Sequence, residues 1–423
     1  MISSQRMQTS NKALYLIVFV LLLAVLPCAF IHEKTARVIF YWCGYLSLLG
    51  LLLNAVTIKQ KLAHKNIALL FLLLSFLFLG WSALAELISG DTASELLYTP
   101  GKRWLVAAAV AFYLLSGKNI LGGEIKIKEV SGETIIIAIM AVAFIAASTF
   151  GFIQGLNSDA RIELGINRAT LTAYAYSAFT LAFSALIAMK GPAKYKYIVQ
   201  SAILVVSTYI IFLTQTRAAM FLHPALGFFL LLCWMYKDKV LNLKVLATAV
   251  LALLVVIAAN SKIIIERYDS TLQEVGQYNS GNDSTSLGAR FSMWKLGVMA
   301  FSHAPLGQSE SHRNNMITEY LHDANEQSAA LQYTTVHLHN EFIQYASLFG
   351  IFGVIVLLVF FLALIFKVSK PSIIGPIGIS TISIALYGAT DVLLTSIELI
   401  VIYATVIILS SMACARPVDR VEK

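Results

Sequence analysis

The sequence predicts an all-α polytopic membrane protein of about 12 transmembrane helices with one large loop on the non-cytoplasmic face. Three observations predict it. Of 423 residues, 58% are hydrophobic and only 13% are charged, against about 25% charged residues in a soluble domain. So little charge cannot cover a soluble surface, so membrane lipid must be the solvent for much of the chain. Apolar runs long enough to span a bilayer, about 20 residues each, recur along the whole length. The basic residues sit in short clusters between these runs, where they set orientation. The net charge of +8 therefore does not argue for nucleic acid.

In chain order, spans are expected near 13–31, 37–57, 67–87, 104–117, 134–155, 169–189, 197–214, 218–236, 243–260, 342–366, 373–390 and 393–414. The fourth is short, and the eleventh is polar and Gly-rich. An open sheet cannot survive in lipid, because its unpaired backbone groups have no water to bond, so every span must be a helix. The first run carries no small-residue cleavage site and reads as a retained helix. Cys28, Cys43, Cys233 and Cys414 all fall in apolar runs, which excludes a disulfide framework. The chain thus divides into residues 1–260 with nine spans, a large loop at 261–340, and residues 341–423 with three spans and a terminal tail.

Lys and Arg orient the chain. With both termini cytoplasmic, nineteen of the 31 basic residues fall inside and twelve outside, five of those twelve in the long loop, which weighs little in topology. Residue type divides too: sixteen Lys and three Arg inside, four Lys and eight Arg outside. Lys inside is the ordinary topology signal. The Arg group outside suggests an anion site, since guanidinium grips phosphate or carboxylate with a two-pronged fork. For any single Arg, pairing with an acidic neighbour or a lipid headgroup is an equal alternative.

The loop at 261–340 carries five of the eight histidines and a turn-rich stretch at 279–284. Ala289–Ala300 and Asn315–Leu321 look amphipathic and predict short helices. Three motifs stand out. Thr214-Gln215-Thr216-Arg217 places Arg217 at the N-terminus of the eighth span, where free N–H groups add to its charge; a snorkelling Arg is the alternative. Ser286-Leu287-Gly288-Ala289-Arg290 opens a helix, with Ser286 as its expected cap and Arg290 in its first turns. Val336-His337-Leu338-His339-Asn340-Glu341 precedes the tenth span. Its histidines share a face on a strand but diverge by about 200° on a helix. Zinc would need further ligands at suitable spacing, which the sequence does not offer, so no metal or cofactor is expected. A His near a helix N-terminus and close to arginines is kept neutral and can serve as a general base. Asp391, in the last outer turn, could orient a His or Arg, or lie as a loop carboxylate in water. Glu398 lies within the last span, where an acid is costly, and has no assigned role. The chain lacks a GxxxxGK[ST] loop and any Asp-x-Asp pair, which removes the usual marks of an ATP engine and of a metal-clamped sugar donor.

Together these three motifs resemble the bacterial O-antigen ligases of lipopolysaccharide assembly. His339-Asn340 followed by Gly350-Ile351-Phe352-Gly353 is similar to the wider ligase and polymerase superfamily pattern. The resemblance extends over the whole chain, in span number, the long loop before the His motif and the Asp in the final turn. It implies a GT-C-like glycosyltransferase of the bacterial inner membrane, working at the periplasmic face. The implied donor is O-antigen on undecaprenyl pyrophosphate, and the implied acceptor a sugar hydroxyl of lipid A–core oligosaccharide. The implied reaction is inverting and metal-independent. The family's functional positions fall on Arg217, Arg290 and His339, with Asp391 and Arg161 (in Asp159-Ala160-Arg161-Ile162) as further matches. His337 is expected to contribute to substrate binding. The His-Asn element is shared with O-antigen polymerases, so a polymerase is an alternative. A lipid-linked oligosaccharide flippase is another. A transporter, however, would place charges near the midplane of repeated halves, and here they crowd the outer edge.

Overall fold

A computed structural model of the chain describes residues 2–54, 65–90, 95–117, 126–127, 130–158, 160–323, 328–332 and 337–414. Of the residues counted for orientation, Lys59, Lys61, Lys118, Lys128, Arg416, Arg420 and Lys423 lie outside these, as do Asp159 and Val336 of the motifs. The protein is an all-α polytopic membrane protein. Its helices in order are α1 (Ile2–Ala29), α2 (Glu33–Leu53), α3 (Lys65–Ser89), α4 (Glu95–Leu115), α5 (Gly132–Asn157), α6 (Ala169–Lys190), α7 (Lys196–Leu213), α8 (Arg217–Lys237) and α9 (Leu243–Ala259). They continue as α10 (Ser261–Asn279), α11 (Ser286–His303), α12 (Glu310–Asp323), α13 (Glu341–Leu362), α14 (Pro376–Gly388) and α15 (Ile397–Cys414). A two-residue antiparallel ladder, β1 (Lys126–Ile127) with β2 (Val130–Ser131), precedes α5.

Each of the twelve predicted runs forms a helix, because a backbone in lipid must satisfy its own hydrogen bonds. Among the described residues, nine helices are long and apolar enough to cross a membrane, or up to ten if the bent pair α9–α10 counts as one span. Two expected spans fall outside that number. Helix α4 carries Lys102 and Arg103 within its length, and α14 has only 13 residues. Helices α6 and α15 form the centre of the bundle, with 94% and 78% of their apolar windows buried. Helix α6 is rich in Ala, Ser and Thr, and small side chains let neighbouring helices approach closely. Peripheral helices instead turn Leu52, Phe76, Ile145 and Phe221 outward. Such large exposed apolar side chains are stable against lipid and not against water.

The long polar segment starts at a 67° bend between α9 and α10. Helix α10 buries none of its residues. Helices α11 and α12 pack through a small apolar cluster of Ala289, Met293, Leu296, Ile317 and Leu321, joined by Leu338. The sequence placed the cap of α11 at Ser286. The capping side chain is Thr285, whose hydroxyl accepts from Gly288 N–H at 3.1 Å, so Ser286 is already the first helical residue. Helix α13 bends at Gly350 (φ +60°). A side chain there would meet the Pro305 carbonyl oxygen at 2.3 Å. The bend frees α13 backbone groups, and the 305–308 loop takes them. Ile351 N–H donates to Pro305 O at 2.9 Å and Gln308 N–H to Leu348 O at 2.8 Å.

Candidate active site

Three chain segments converge at the mouth of the bundle. The first is 337–340. Asn340 caps α13, its side-chain oxygen accepting from Ile343 N–H at 3.1 Å. His339 just before it has φ +48°, a left-handed conformation that is uncommon for a residue with a side chain and persists where the surroundings impose it. Trp294 of α11 donates to the His339 carbonyl at 3.1 Å, which helps to hold that backbone. Leu338 is fully buried, and its N–H donates to Gln344 at 3.0 Å.

The second is the turn between α14 and α15. The His339 ring donates from Nδ1 to Asp391 Oδ1 at 2.9 Å. Val392 N–H donates to the same oxygen at 2.9 Å. The two residues after His339 grip the same turn. Asn340 donates to Ala389 O at 2.8 Å, and Glu341 accepts from the N–H groups of Leu393 and Leu394. The His-Asn-Glu motif is therefore one continuous clasp on the Asp391 turn. Asp391 is 6% exposed, not the loop carboxylate in water that its place in a turn allowed. Burial pushes its carboxyl up, but the His339 bond and the charges of His339, His337 and Arg290 together hold it below the ordinary carboxylate value.

His337 lies edge-on to His339 with ring centroids 4.3 Å apart. The irregular backbone brings the two rings together, where neither a helix nor a strand was needed. Burial, helped by the charges of His339, Arg168 and Arg290, holds His337 down to about 4 against the opposing pull of Asp391. It is neutral at pH 7. The ligand atoms of His337, His339 and Asp391 lie within 4.8 Å of one another, close enough to hold a metal ion. Asp391 supplies the third donor that the His motif lacked.

The third segment is the 214–217 turn, with Gln215 also left-handed at φ +53°. Arg161 donates to Thr214 O at 2.9 Å and to the Thr216 and Thr170 hydroxyls at 3.2 and 3.1 Å. Arg217, at the first residue of α8, forms a two-pronged ion pair with Glu274 of α10. Glu274 also accepts from Leu287 N–H, in the first turn of α11, at 2.9 Å. Burial raises the Glu274 carboxyl, but the Arg217 bond, the Leu287 N–H and the charges of Arg217 and Arg290 outweigh it and hold it low. Among the described residues, no hydrogen bond or ion pair engages the Arg290 guanidinium, yet its charge acts on Asp391, His337 and Glu274.

The structure thus gathers His337, His339, Asp391 and Arg290 at one point, with Arg161 and Arg217 on the adjoining turn. Sequence reasoning missed Glu274, Glu341, Trp294 and Arg313. Arg313 is fully buried and reaches Gln344 and Ser347 at 3.4 and 3.5 Å, beneath the His segment. Of these, only Glu341 stood within a quoted motif, as the last residue of the His segment, without a role.

Comparison with known proteins gives the same direction. The O-antigen ligase family matches residues 202–358, which include Arg217, Arg290, His337 and His339 and leave Arg161 and Asp391 outside. An O-antigen ligase of Escherichia coli (strain K12) is 26% identical over 409 residues, 95% of this chain and 94% of that protein. By its family region and its end-to-end resemblance to that ligase, the chain is similar to the bacterial O-antigen ligases.

Proposed function

We propose that the chain is a GT-C-like, inverting, metal-independent glycosyltransferase of the bacterial inner membrane. It moves O-antigen from undecaprenyl pyrophosphate to a sugar hydroxyl of lipid A–core oligosaccharide. Both termini face the cytoplasm, and the segment 261–340 and the site face the periplasm. The observation that carries this reading is the His339–Asp391 pair at 2.9 Å beside a cluster of arginines.

With Nδ1–H donating to Asp391, the basic nitrogen of the ring is Nε2. Nε2 takes the proton of the acceptor hydroxyl as its oxygen attacks the anomeric carbon of the donor. The bond from that carbon to pyrophosphate breaks, and the electron pair leaves with the pyrophosphate. One displacement on the opposite face inverts the centre. Asp391 stabilises the imidazolium, and the proton then passes to water. Positioned general-base transfer is worth about 10²–10⁴-fold. Arg290, Arg217 and Arg161 stabilise the charge growing on the leaving group, the role a divalent metal plays in many sugar transfers. The surrounding guanidinium charges and a carboxylate already bonded to His339 oppose a divalent cation in the His337–His339–Asp391 group.

Purified protein with both lipids on one face tests the proposal. Product should form, His339→Ala should abolish it at unchanged donor binding, and His337→Ala should keep a substantial part. Movement of donor without product would favour a flippase. Elongation of one lipid-linked O-antigen by another would favour a polymerase.

A further inference from the structure

A cavity of about 570 Å³ opens in the long segment between the end of α10, the turn after it, α11 and α12. It is separate from the His339 centre. Arg290 and Trp294 lie on the face of α11 that meets the His segment. Ser292, Lys295 and Leu296 line the cavity from the other side of the same helix, as 100° per residue requires. The cavity and the reaction centre are thus one helix diameter apart, about 10 Å.

We propose that this cavity is a saccharide subsite, taking a stretch of sugar chain that bears an anionic group; the proposal rests on the glycosyl-transfer reading above. Its size falls within the range of about 300–1,000 Å³ for small-ligand sites, which combine an apolar base with a few convergent polar groups. The base here is Leu296 and Leu321, part of the small apolar cluster. Tyr278 and Tyr320 stand at its walls. The Tyr278 ring is braced edge-on by Phe291 at 5.2 Å, so its face is fixed before any ligand arrives. A pyranose has an apolar face of C–H groups and a rim of hydroxyls, and it suits a rigid ring with a polar tip. Asp283 is anchored between Ser328 and Ala329 N–H. Ser292 and its own backbone N–H also donate to it, so its carboxylate is fixed as part of the cavity wall. Lys295 adds a compact positive charge at the same cavity, which pairs with phosphate or carboxylate without demanding one geometry.

Both substrates of the proposed reaction are saccharides, and the same assay separates them. The full chain is purified in detergent, and KM is measured for donor and acceptor lipids with Tyr320→Ala, Lys295→Gln and the cavity-filling Ser292→Trp. The KM for one substrate should rise on the order of tenfold, about the loss of one good contact, with kcat within twofold. The substrate whose KM moves is the occupant. Saccharides released by mild acid from the donor lipid and from lipid A–core, the latter with and without its phosphates, are the direct probes. Wild type should bind the one whose lipid form moves KM, preferring its anionic form, and Lys295→Gln should lose that preference. Both KM values within twofold of wild type in all three variants would overturn the proposal. If wild type makes no product, the ligase reading fails. The released-saccharide measurement on wild type against Ser292→Trp then decides the subsite by itself.

Discussion

Replacing Asp391 with Asn removes one charge and little else. Oδ1 of Asp391 accepts from both His339 Nδ1 and Val392 N–H, each at 2.9 Å. An Asn oxygen in the same place keeps both bonds, and its NH₂ takes the position of Oδ2. What disappears is the negative charge facing the imidazolium in the transition state. Two unit charges about 4 Å apart interact by about 4 kcal/mol at an effective dielectric near 20. The His339 side chain is 22% exposed and that of Asp391 9%, so water screens part of this and about 2–4 kcal/mol is the expected range. That corresponds to a loss of about 30- to 10³-fold in kcat, with donor binding unchanged. Asp391→Ala should lose more, because it also strips the buried Val392 N–H of its acceptor. Product formation and donor binding by the purified variants are the measurements. An Asp391→Asn enzyme within threefold of wild type would show that the carboxylate is structural and that His339 needs no charged partner.

Arg290→Ala and Arg217→Ala should each nearly abolish product while the protein still accumulates in the membrane, and Lys at either position should rescue poorly. Full activity in both Lys variants would mean that charge alone suffices. Glu274 occupies the fork of Arg217 and an α11 N–H, which are groups a pyrophosphate would use. Glu274→Gln should therefore lower the donor KM severalfold, and a raised KM would make Glu274 a positioning group. Its carboxyl is held below the ordinary value. The ion pair therefore stabilises the fold fully above that ordinary value, about pH 4.3, and loses its contribution as pH falls through the lower native value. Melting temperatures of wild type and Glu274→Gln should differ at pH 7 and converge below about pH 4. Excess chelator should leave the initial rate within twofold; strong inhibition reversed by zinc would give His337, His339 and Asp391 to a metal.

The helices were legible because lipid enforces them locally. The run predicted at 169–189 is the helix Ala169–Lys190. The last span begins at Ile397 and not near 393, because Val392, Leu393 and Leu394 are apolar for another reason: they are buried in a turn held by Glu341. Hydropathy records burial without recording the backbone. The arginines and His339 were visible through motif and position. The contact of His339 with Asp391 spans 52 residues and depends on how α13, α14 and α15 pack, which no local pattern encodes. Glu274 and Arg313 were invisible for the same reason. An acid on an amphipathic helix reads as solvated until its cation, 57 residues earlier, is placed beside it.

The bend at Gly350 bears on how this protein could be recombined with its relatives. Residues 305–308 complete the hydrogen bonding of α13 at the bend, and Gln308 also reaches Ser347 O at 2.9 Å and receives the Trp81 indole of α3 at 3.1 Å. The long polar segment is thus stitched into two bundle helices ahead of the His motif. A chimera that exchanges residues 261–340 alone would set a foreign loop against Gly350 and Trp81 and leave backbone groups orphaned. The transplantable unit runs through the bend and takes its α3 partner with it.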